Sequence, residues 1–239
     1  MIYLLPLLSV ILGYAIALLL KPSNRKNLKL LLAFSGSFLL SLTVLHLLPD
    51  VYEASLHNHA GHDGHNHGHS HSSIGLFIMT GIIFQIILEY FSKGAEHGHV
   101  HTHGHEHSNA MPWLLFISLC IHALLEGFPV SHHNHLAWGI AIHHLPIAII
   151  LTAFFINSGL NKTAVLLFMM AFAVMTPLGT LLSEQLHFIS HYYTEISAVV
   201  IGILFHISST IIFESSEGHK FNLAKLLVII LGVIMAYFL

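Results

Sequence analysis

The feature that most limits how this chain can fold is a series of eight apolar runs, each about 20 residues long. A helix of that length crosses the hydrocarbon core of a bilayer, whereas membrane strands show alternating segments of about 10 residues. The sequence therefore predicts an all-α polytopic membrane protein with eight transmembrane helices. The predicted spans are about 2–20, 29–52, 74–92, 112–131, 136–157, 163–184, 191–213 and 222–239.

The composition agrees with a membrane protein. Hydrophobic residues make up 55% of the 239 positions and charged residues 8%, where a soluble domain carries about 25% charge. Residues 1–239 are therefore predicted to form one transmembrane domain in contact with the lipid bilayer. The net charge is −3 and the sequence contains no basic tract, so its charge does not indicate nucleic-acid binding. The single cysteine, Cys120, excludes an intrachain disulfide framework.

The basic residues predict how the spans are oriented. They lie in, or at the edges of, alternate connections, and the remaining connections contain none. Because cytoplasmic loops are enriched in Lys and Arg, both termini are predicted to lie outside, in a plasma or inner membrane. The first span lacks a preceding basic region and a small-residue cleavage site, so it is interpreted as a retained helix. The basic residues are Lys21, Arg25, Lys26, Lys29, Lys93, Lys162, Lys220 and Lys225.

Histidine is the residue type in clear excess. The 24 histidines outnumber the 8 Lys and Arg and the 11 Asp and Glu residues combined. Many lie in two hydrophilic segments, the predicted extracytoplasmic loop 57–72 and the predicted cytoplasmic loop 94–110. Neutral imidazole binds Zn, Cu, Ni and Fe, so both loops are predicted to hold metal ions loosely. A disordered polar spacer of biased composition is the alternative.

Two consecutive spans carry metal-ligand side chains at membrane depth. His122 and Glu126 are four residues apart and therefore lie on one face of a helix. His143 and His144, in the next span, point about 100° apart, so one or both could contact the same ion. Because ionisable groups at membrane depth are costly, they indicate a functional site. These four residues are the predicted metal site, and an interhelical polar clamp is the alternative for His122 with Glu126.

Four further residues are predicted to line a metal pathway. His46 and Asp50 lie near the outer end of span two, where Pro49 removes a backbone donor and kinks the helix. The alternative is that they cap the helix end. His206 lies within span seven and Glu214 ends it. A hydrogen bond to a neighbouring helix is the alternative for His206.

The ligand types narrow the choice of metal. Imidazole with carboxylate, and no thiolate, suits Zn, Fe(II), Mn, Co or Ni, whereas Mg and Ca require all-oxygen sites. Zinc tolerates tetrahedral nitrogen and oxygen donors and is the predicted ion.

At these residues the chain resembles the ZIP family of divalent-metal transporters. The stretch from His122 to Gly127 resembles the family's span-four motif, His-Asn/Ser-x-x-Glu/Asp-Gly. His143-His144-Leu145-Pro146 resembles its span-five motif, His-Glu-x-Pro. Weaker similarity lies at the end of span two and in spans six and seven. Those stretches are His46-Leu-Leu-Pro49-Asp50, Pro177-Leu178-Gly179, and Gly202 through Glu214.

The resemblance implies a secondary transporter rather than an enzyme. Its substrate would be a divalent cation, zinc first, carried into the cytoplasm with no resident cofactor. It also implies inverted repeats of helices 1–3 and 6–8 around helices 4–5. Spans one, four, five and six would move as an elevator relative to the others, and a homodimer is a further family expectation.

Three positions depart from the family pattern. Ala123 stands where the family often has Asn, His144 replaces an acidic ligand, and Ile147 stands where a further His or Glu usually follows the proline. The family's two-metal centre is therefore expected to be reduced to one site, held chiefly by nitrogen.

Three other classes of protein share some of these features. A cation diffusion facilitator also has histidine-rich loops, but usually six spans and a soluble C-terminal domain, whereas this sequence ends in an apolar helix. A metal sensor or storage protein would explain the loops but not the ligands inside the spans. An intramembrane metal-dependent hydrolase would need a string such as His-Glu-x-x-His, which is absent.

Overall fold

The computed structural model describes residues 4–20, 25–59, 69–92, 113–131, 134–214 and 222–239, and the elements in these ranges are helices. This confirms the predicted all-α class. The π-helical turn Thr43–Leu47 joins α2 to α3, and the 3₁₀ turn Pro129–Ser131 follows α5. The α-helices are α1 Leu4–Leu20, α2 Arg25–Leu42, α3 Leu48–His59, α4 His69–Ser92, α5 Trp113–Glu126, α6 Asn134–Asn157, α7 Lys162–Gln185, α8 His187–His191, α9 Tyr193–Glu214 and α10 Leu223–Tyr237.

Five helical segments in the described ranges are long and apolar enough to cross a membrane, so the chain is a polytopic membrane protein. They are Lys26–Ser55, Ser73–Phe91, Leu136–Asn157, Lys162–Gln185 and Tyr193–Phe213. Three shorter apolar helical segments are Leu4–Leu20, Phe116–Ser131 and Leu223–Tyr237. Each of the eight falls on one of the predicted spans. Their outer faces expose large apolar side chains, as lipid contact requires.

Proline explains the irregular turn in the second segment. Pro49 has no N–H to donate to the carbonyl four residues earlier, that of Leu45. The π-helical turn Thr43–Leu47 surrounds this position. Wider turns of this kind appear where the regular hydrogen-bond ladder is interrupted. The predicted distortion near Pro49 is thus present as a widened turn that includes His46.

The helices pack as two groups. In the first, α1 packs along α6 and α7, and α5 packs on α7. In the second, α4 packs along α9, and α2 packs on α9 and α10. Contacts between the groups are sparser and involve chiefly α2 with α6. We call the first group the α6 half (α1, α5, α6, α7) and the second the α9 half (α2, α3, α4, α9, α10).

Glycines allow two helix backbones to approach closely inside each half. A methyl group at Gly179 would clash with the carbonyl of Leu124, because α7 touches the end of α5 there. A methyl group at Gly202 would likewise clash with the carbonyl of Ile78, because α9 touches α4 there. Small residues at such crossings allow close packing of membrane helices. Each half is therefore held by backbone-to-backbone contact.

The boundary between the halves is packed by side chains. One buried cluster draws its members from both halves and includes Leu42, Ile140 and Leu204. Gly139 of α6 faces Leu42, whose Cδ2 would lie 2.5 Å from an added methyl. A second cluster, which includes Phe155 and Phe168, lies within the α6 half.

The two histidine-rich loops fall largely outside the described residues. Of loop 57–72, the structure describes helical backbone up to His59 and again from His69. Loop 94–110 lies wholly outside them.

Candidate metal site

The four residues predicted to bind metal come together in the α6 half. His122 and Glu126 lie in the last turns of α5, and His143 and His144 lie in α6, just before Pro146. Their exposed fractions are 6%, 1%, 2% and 2%, respectively. Pro146 has no N–H for the carbonyl of Ile142, so the backbone ladder is interrupted beside the two histidines. The site is thus buried at a weakened turn of a spanning helix.

The carboxylate of Glu126 is the centre of the arrangement. Its Oε1 lies 2.8 Å from Nε2 of His122 and 3.9 Å from Nε2 of His143. Its Oε2 lies 2.9 Å from Nε2 of His144. All three imidazoles therefore present Nε2 to one carboxylate, but on two different oxygens.

Three of these residues are spaced to share an ion. One ligand atom from each of His122, Glu126 and His143 lies within 4.8 Å of the others. Zinc bonds of about 2.0–2.1 Å in a tetrahedral site place ligand atoms roughly 3.4 Å apart, so small rotations would close the group on a metal. Three protein ligands leave a fourth position open, whereas structural zinc sites are closed by four. Among the described residues the arrangement therefore resembles an open metal site more than a closed structural one.

His144 has a different position from the other two histidines. It contacts the Oε2 face of Glu126, and its ring packs edge-on against Phe172 with centroids 5.5 Å apart. His144 therefore orients the carboxylate through Oε2, whereas His122 and His143 lie on the side of Oε1. The sequence left open whether both histidines of α6 face one ion, and the structure places only His143 on the side of Oε1.

Ser35 also belongs to this site, and the sequence did not indicate it. Its Oγ lies 2.8 Å from Nδ1 of His143, although Ser35 is on α2 in the other half. Nothing in the sequence distinguishes Ser35 from Ser37 or Ser41 on the same helix. Those two serines donate to carbonyls of their own helix, at 3.0 and 2.8 Å.

The predicted pathway residues have separate surroundings. Nε2 of His46 lies 2.8 Å from the carbonyl oxygen of Ala236 on α10. Nε2 of His206 lies 2.6 Å from Oε2 of Glu89 on α4, which is the interhelical hydrogen bond that the sequence left as its alternative. Asp50 lies on α3, and Glu214 ends α9 with a side chain outside the described part of the chain. The structure does not gather the described side chains of His46, Asp50 and His206 around Glu126.

Fold and site together define a class: a multi-pass helical membrane protein with a buried histidine–carboxylate cluster spaced for a transition-metal ion. Residues 1–112 match the family model described as ZIP Zinc transporter. The resemblance to the ZIP zinc transporter family is thereby confirmed. The matched residues end before α5, so the cluster around Glu126 lies beyond them.

Individual relatives are zinc transporters by name. The chain is 37% identical over 82 residues to Zinc transporter SLC39A7 of Rattus norvegicus, covering 33% of this chain and 18% of the relative. It is 37% identical over 84 residues to the Mus musculus protein, covering 33% and 17%. It is 36% identical over 82 residues to the Homo sapiens protein, covering 33% and 18%. The match thus spans less than a fifth of the length of these relatives.

Proposed function

We propose that this protein is a secondary transporter of divalent metal cations, with zinc as its main substrate. The observation that carries the proposal is the convergence of the buried side chains of His122, Glu126 and His143 inside a polytopic membrane protein. The match of residues 1–112 to a zinc-transporter family supports the same class of substrate. Transport into the cytoplasm is the direction we adopt from the family resemblance.

The donor atoms favour zinc over harder cations. Two imidazole nitrogens and one carboxylate oxygen suit Zn, and also Fe(II), Mn, Co or Ni. Magnesium and calcium prefer sites built from oxygen alone. The ion is the transported substrate, and no step of the proposal needs a resident cofactor or a chemical reaction.

We propose one ion at a time rather than two. Among the described residues the site contains a single carboxylate, so a second dication would add charge that no other described anion of the site balances in a medium of low polarity. Ala123 is fully buried in an apolar cluster and offers no ligand atom beside His122. Ile147 likewise supplies only carbon where a further ligand would stand.

The packing supports eight spanning helices built as inverted repeats. The repeats would be α1, α2–α3, α4 and α7, α9, α10, arranged around α5 and α6. Exchanging the repeats replaces α1, α2 and α4 with α7, α9 and α10, and it replaces α5 with α6. The contact between α1 and α6 then becomes the contact between α7 and α5, and the contact between α4 and α9 becomes the contact between α10 and α2. Each of these four pairs makes extensive contact, so the packing pattern maps onto itself. Inverted repeats with a site near the midplane are a common transporter design.

The division into halves supports an elevator movement. Glu126 and the three histidines around it all belong to α5 and α6, and therefore to one half. That half is held internally by close backbone contact at Gly179, while side chains pack the boundary with the other half. We infer that the α6 half carries the ion past the α9 half, with His46, Asp50, His206 and Glu214 lining the route.

The proposal includes the chain's setting in the membrane. Residues 1–239 would form one transporter domain with both termini outside the cytoplasm, in a plasma or inner membrane. The loops 57–72 and 94–110 would gather metal ions at the two faces. A homodimer remains the family expectation.

Flux through a purified protein tests the proposal. The chain is reconstituted in proteoliposomes, and uptake of Zn, Fe, Mn, Ni and Cd is compared for the parent, His122→Ala and Glu126→Ala. We expect zinc uptake in the parent and a loss of at least tenfold in both variants. His191→Ala is the matched control, because His191 is exposed and lies outside the site. Parental uptake by both site variants refutes the site, and binding without flux in the parent supports a sensor or storage protein instead.

A further inference from the structure

Ser35 makes a contact that crosses the boundary between the two halves. It is fully buried on α2, in the α9 half, while His143 lies on α6. Its Oγ lies 2.8 Å from Nδ1 of His143 and 3.4 Å from the backbone oxygen of the same residue. One side chain of the α9 half therefore meets a proposed metal ligand of the α6 half at two points.

We propose that Ser35 is a positioning residue that holds His143 in the form that binds metal; this rests on the proposed transport site. A serine hydroxyl has one hydrogen to donate and lone pairs to accept. When that hydrogen goes to the backbone oxygen of His143, Oγ accepts a hydrogen bond from Nδ1–H. The imidazole proton is then on Nδ1, and the lone pair of Nε2 faces Oε1 of Glu126. Partners of this kind fix the tautomer and ring orientation of metal-binding histidines.

The backbone around Ser35 is anchored to its own half. The next residue, Gly36, packs against α9, where an added methyl would lie 2.8 Å from Cγ2 of Ile211. Ser35 therefore cannot follow His143 when the α6 half moves. The hydrogen bond exists in the arrangement seen here and breaks when the halves slide. Metal affinity is consequently higher in this arrangement than after the movement, which links binding to the position of the carrier half.

The neighbouring serines provide a matched control. Ser41 is also buried on α2, but its Oγ donates to the carbonyl of Ser37 within the same helix, at 2.8 Å. Ser41→Ala removes a hydroxyl from the same helix without touching the site. A loss seen for Ser35→Ala and not for Ser41→Ala therefore reports the contact with His143.

The test measures zinc affinity in the full-length protein. Zinc is titrated against a chromophoric chelator for the parent, Ser35→Ala, Ser35→Thr, Ser41→Ala and Glu126→Ala. Zinc binding that is present in the parent and lost in Glu126→Ala is assigned to the site, and its Kd is taken from that difference. Binding that remains in Glu126→Ala is assigned to the histidine-rich loops. We expect Ser35→Ala to raise that Kd by about 10- to 100-fold, the usual effect of losing such a partner. Ser35→Thr keeps the hydroxyl and should restore the Kd to within about threefold of the parent.

A second readout separates positioning from folding. In proteoliposomes, Ser35→Ala should raise the KM for zinc while leaving the maximal flux within about threefold, and the spectrum of bound Co²⁺ should change. A parental Kd and KM for Ser35→Ala overturn the proposal, and so does an equal loss in Ser41→Ala. If Ser35→Ala is parental while Glu126→Ala loses zinc, only the role of Ser35 is wrong. If Glu126→Ala also keeps parental binding and flux, the proposed transport site itself is wrong.

Discussion

Gly179→Ala should destabilise the α6 half and weaken zinc binding together. A methyl at Gly179 would lie 3.0 Å from the carbonyl carbon of Leu124 and closer still to its oxygen. Ordinary contacts between carbon and carbonyl oxygen are about 3.3–3.6 Å, so α5 and α7 would have to separate by roughly 1.5 Å. Because the added methyl clashes with a backbone carbonyl, no side-chain rotation relieves the clash. Overpacking of this kind costs about 1–3 kcal/mol.

The displacement falls next to the proposed metal site. The carbonyl of Gly127, the residue after Glu126, accepts a hydrogen bond of 2.9 Å from Oγ1 of Thr180 on α7. Moving α7 away therefore loosens the end of α5 that carries the carboxylate. We expect the thermal midpoint to fall by on the order of 5 °C and the zinc Kd to rise by about tenfold. The assays are thermal unfolding in detergent and the zinc titration described above.

Two other glycines make the prediction refutable. Gly202→Ala creates a similar backbone clash in the α9 half, where the methyl would lie 2.8 Å from the amide nitrogen of Ile82. It should lose similar stability while keeping the parental zinc Kd. Gly75→Ala, on α4, has nothing within 4 Å of the new methyl and should change neither. A Gly179→Ala variant as stable as Gly75→Ala would contradict the clash, and a Gly202→Ala variant that weakens zinc binding equally would contradict its effect on the site.

Three further outcomes follow from other contacts. Zinc at 100 times its Kd should stabilise the parent by about 2.7 kcal/mol in thermal unfolding, and equal stabilisation of Glu126→Gln would contradict the site. His143→Ala should abolish saturable zinc uptake, whereas His144→Ala, which loses a partner of the carboxylate, should raise the KM by about 10- to 100-fold; identical losses would contradict their separate roles. Lys225 donates to the carbonyl of Ile212 at 2.7 Å near the end of α9. Lys225→Met should lower the free energy of unfolding by about 1–3 kcal/mol and leave zinc uptake unchanged. An unchanged free energy of unfolding would contradict a stabilising role for this hydrogen bond.

The apolar spans and the convergence of His122, Glu126 and His143 could be predicted because the bilayer leaves few choices. A run of apolar residues near 20 in length must form a helix, since its backbone polar groups find no partner in lipid. Ligand side chains within such runs must then point inward. This is why His122, Glu126 and His143 were identifiable and why the structure places them together.

The helix partners and the contacts that support the site were not predictable in the same way. Serines are interchangeable by type along α2, and only the crossing with α6 gives Ser35 its contact with His143. The side of Glu126 that each histidine reaches depends on the packing of α5 against α6, which helical spacing does not determine. The close approaches at Gly179 and Gly202 likewise depend on partners distant in sequence.

The order of the helices along the chain has a consequence for how the protein is made. The α6 half joins α1 to helices that are synthesised much later, and the α9 half joins α2 to α9 and α10. Neither half can close while the ribosome is still on the first part of the chain. The Gly13 face of α1, which packs against Ala148 of α6, therefore has no native partner until α6 has been synthesised. A chain released before α6 would lack the native partner of that surface, and exposed surfaces of this kind favour misassembly and aggregation.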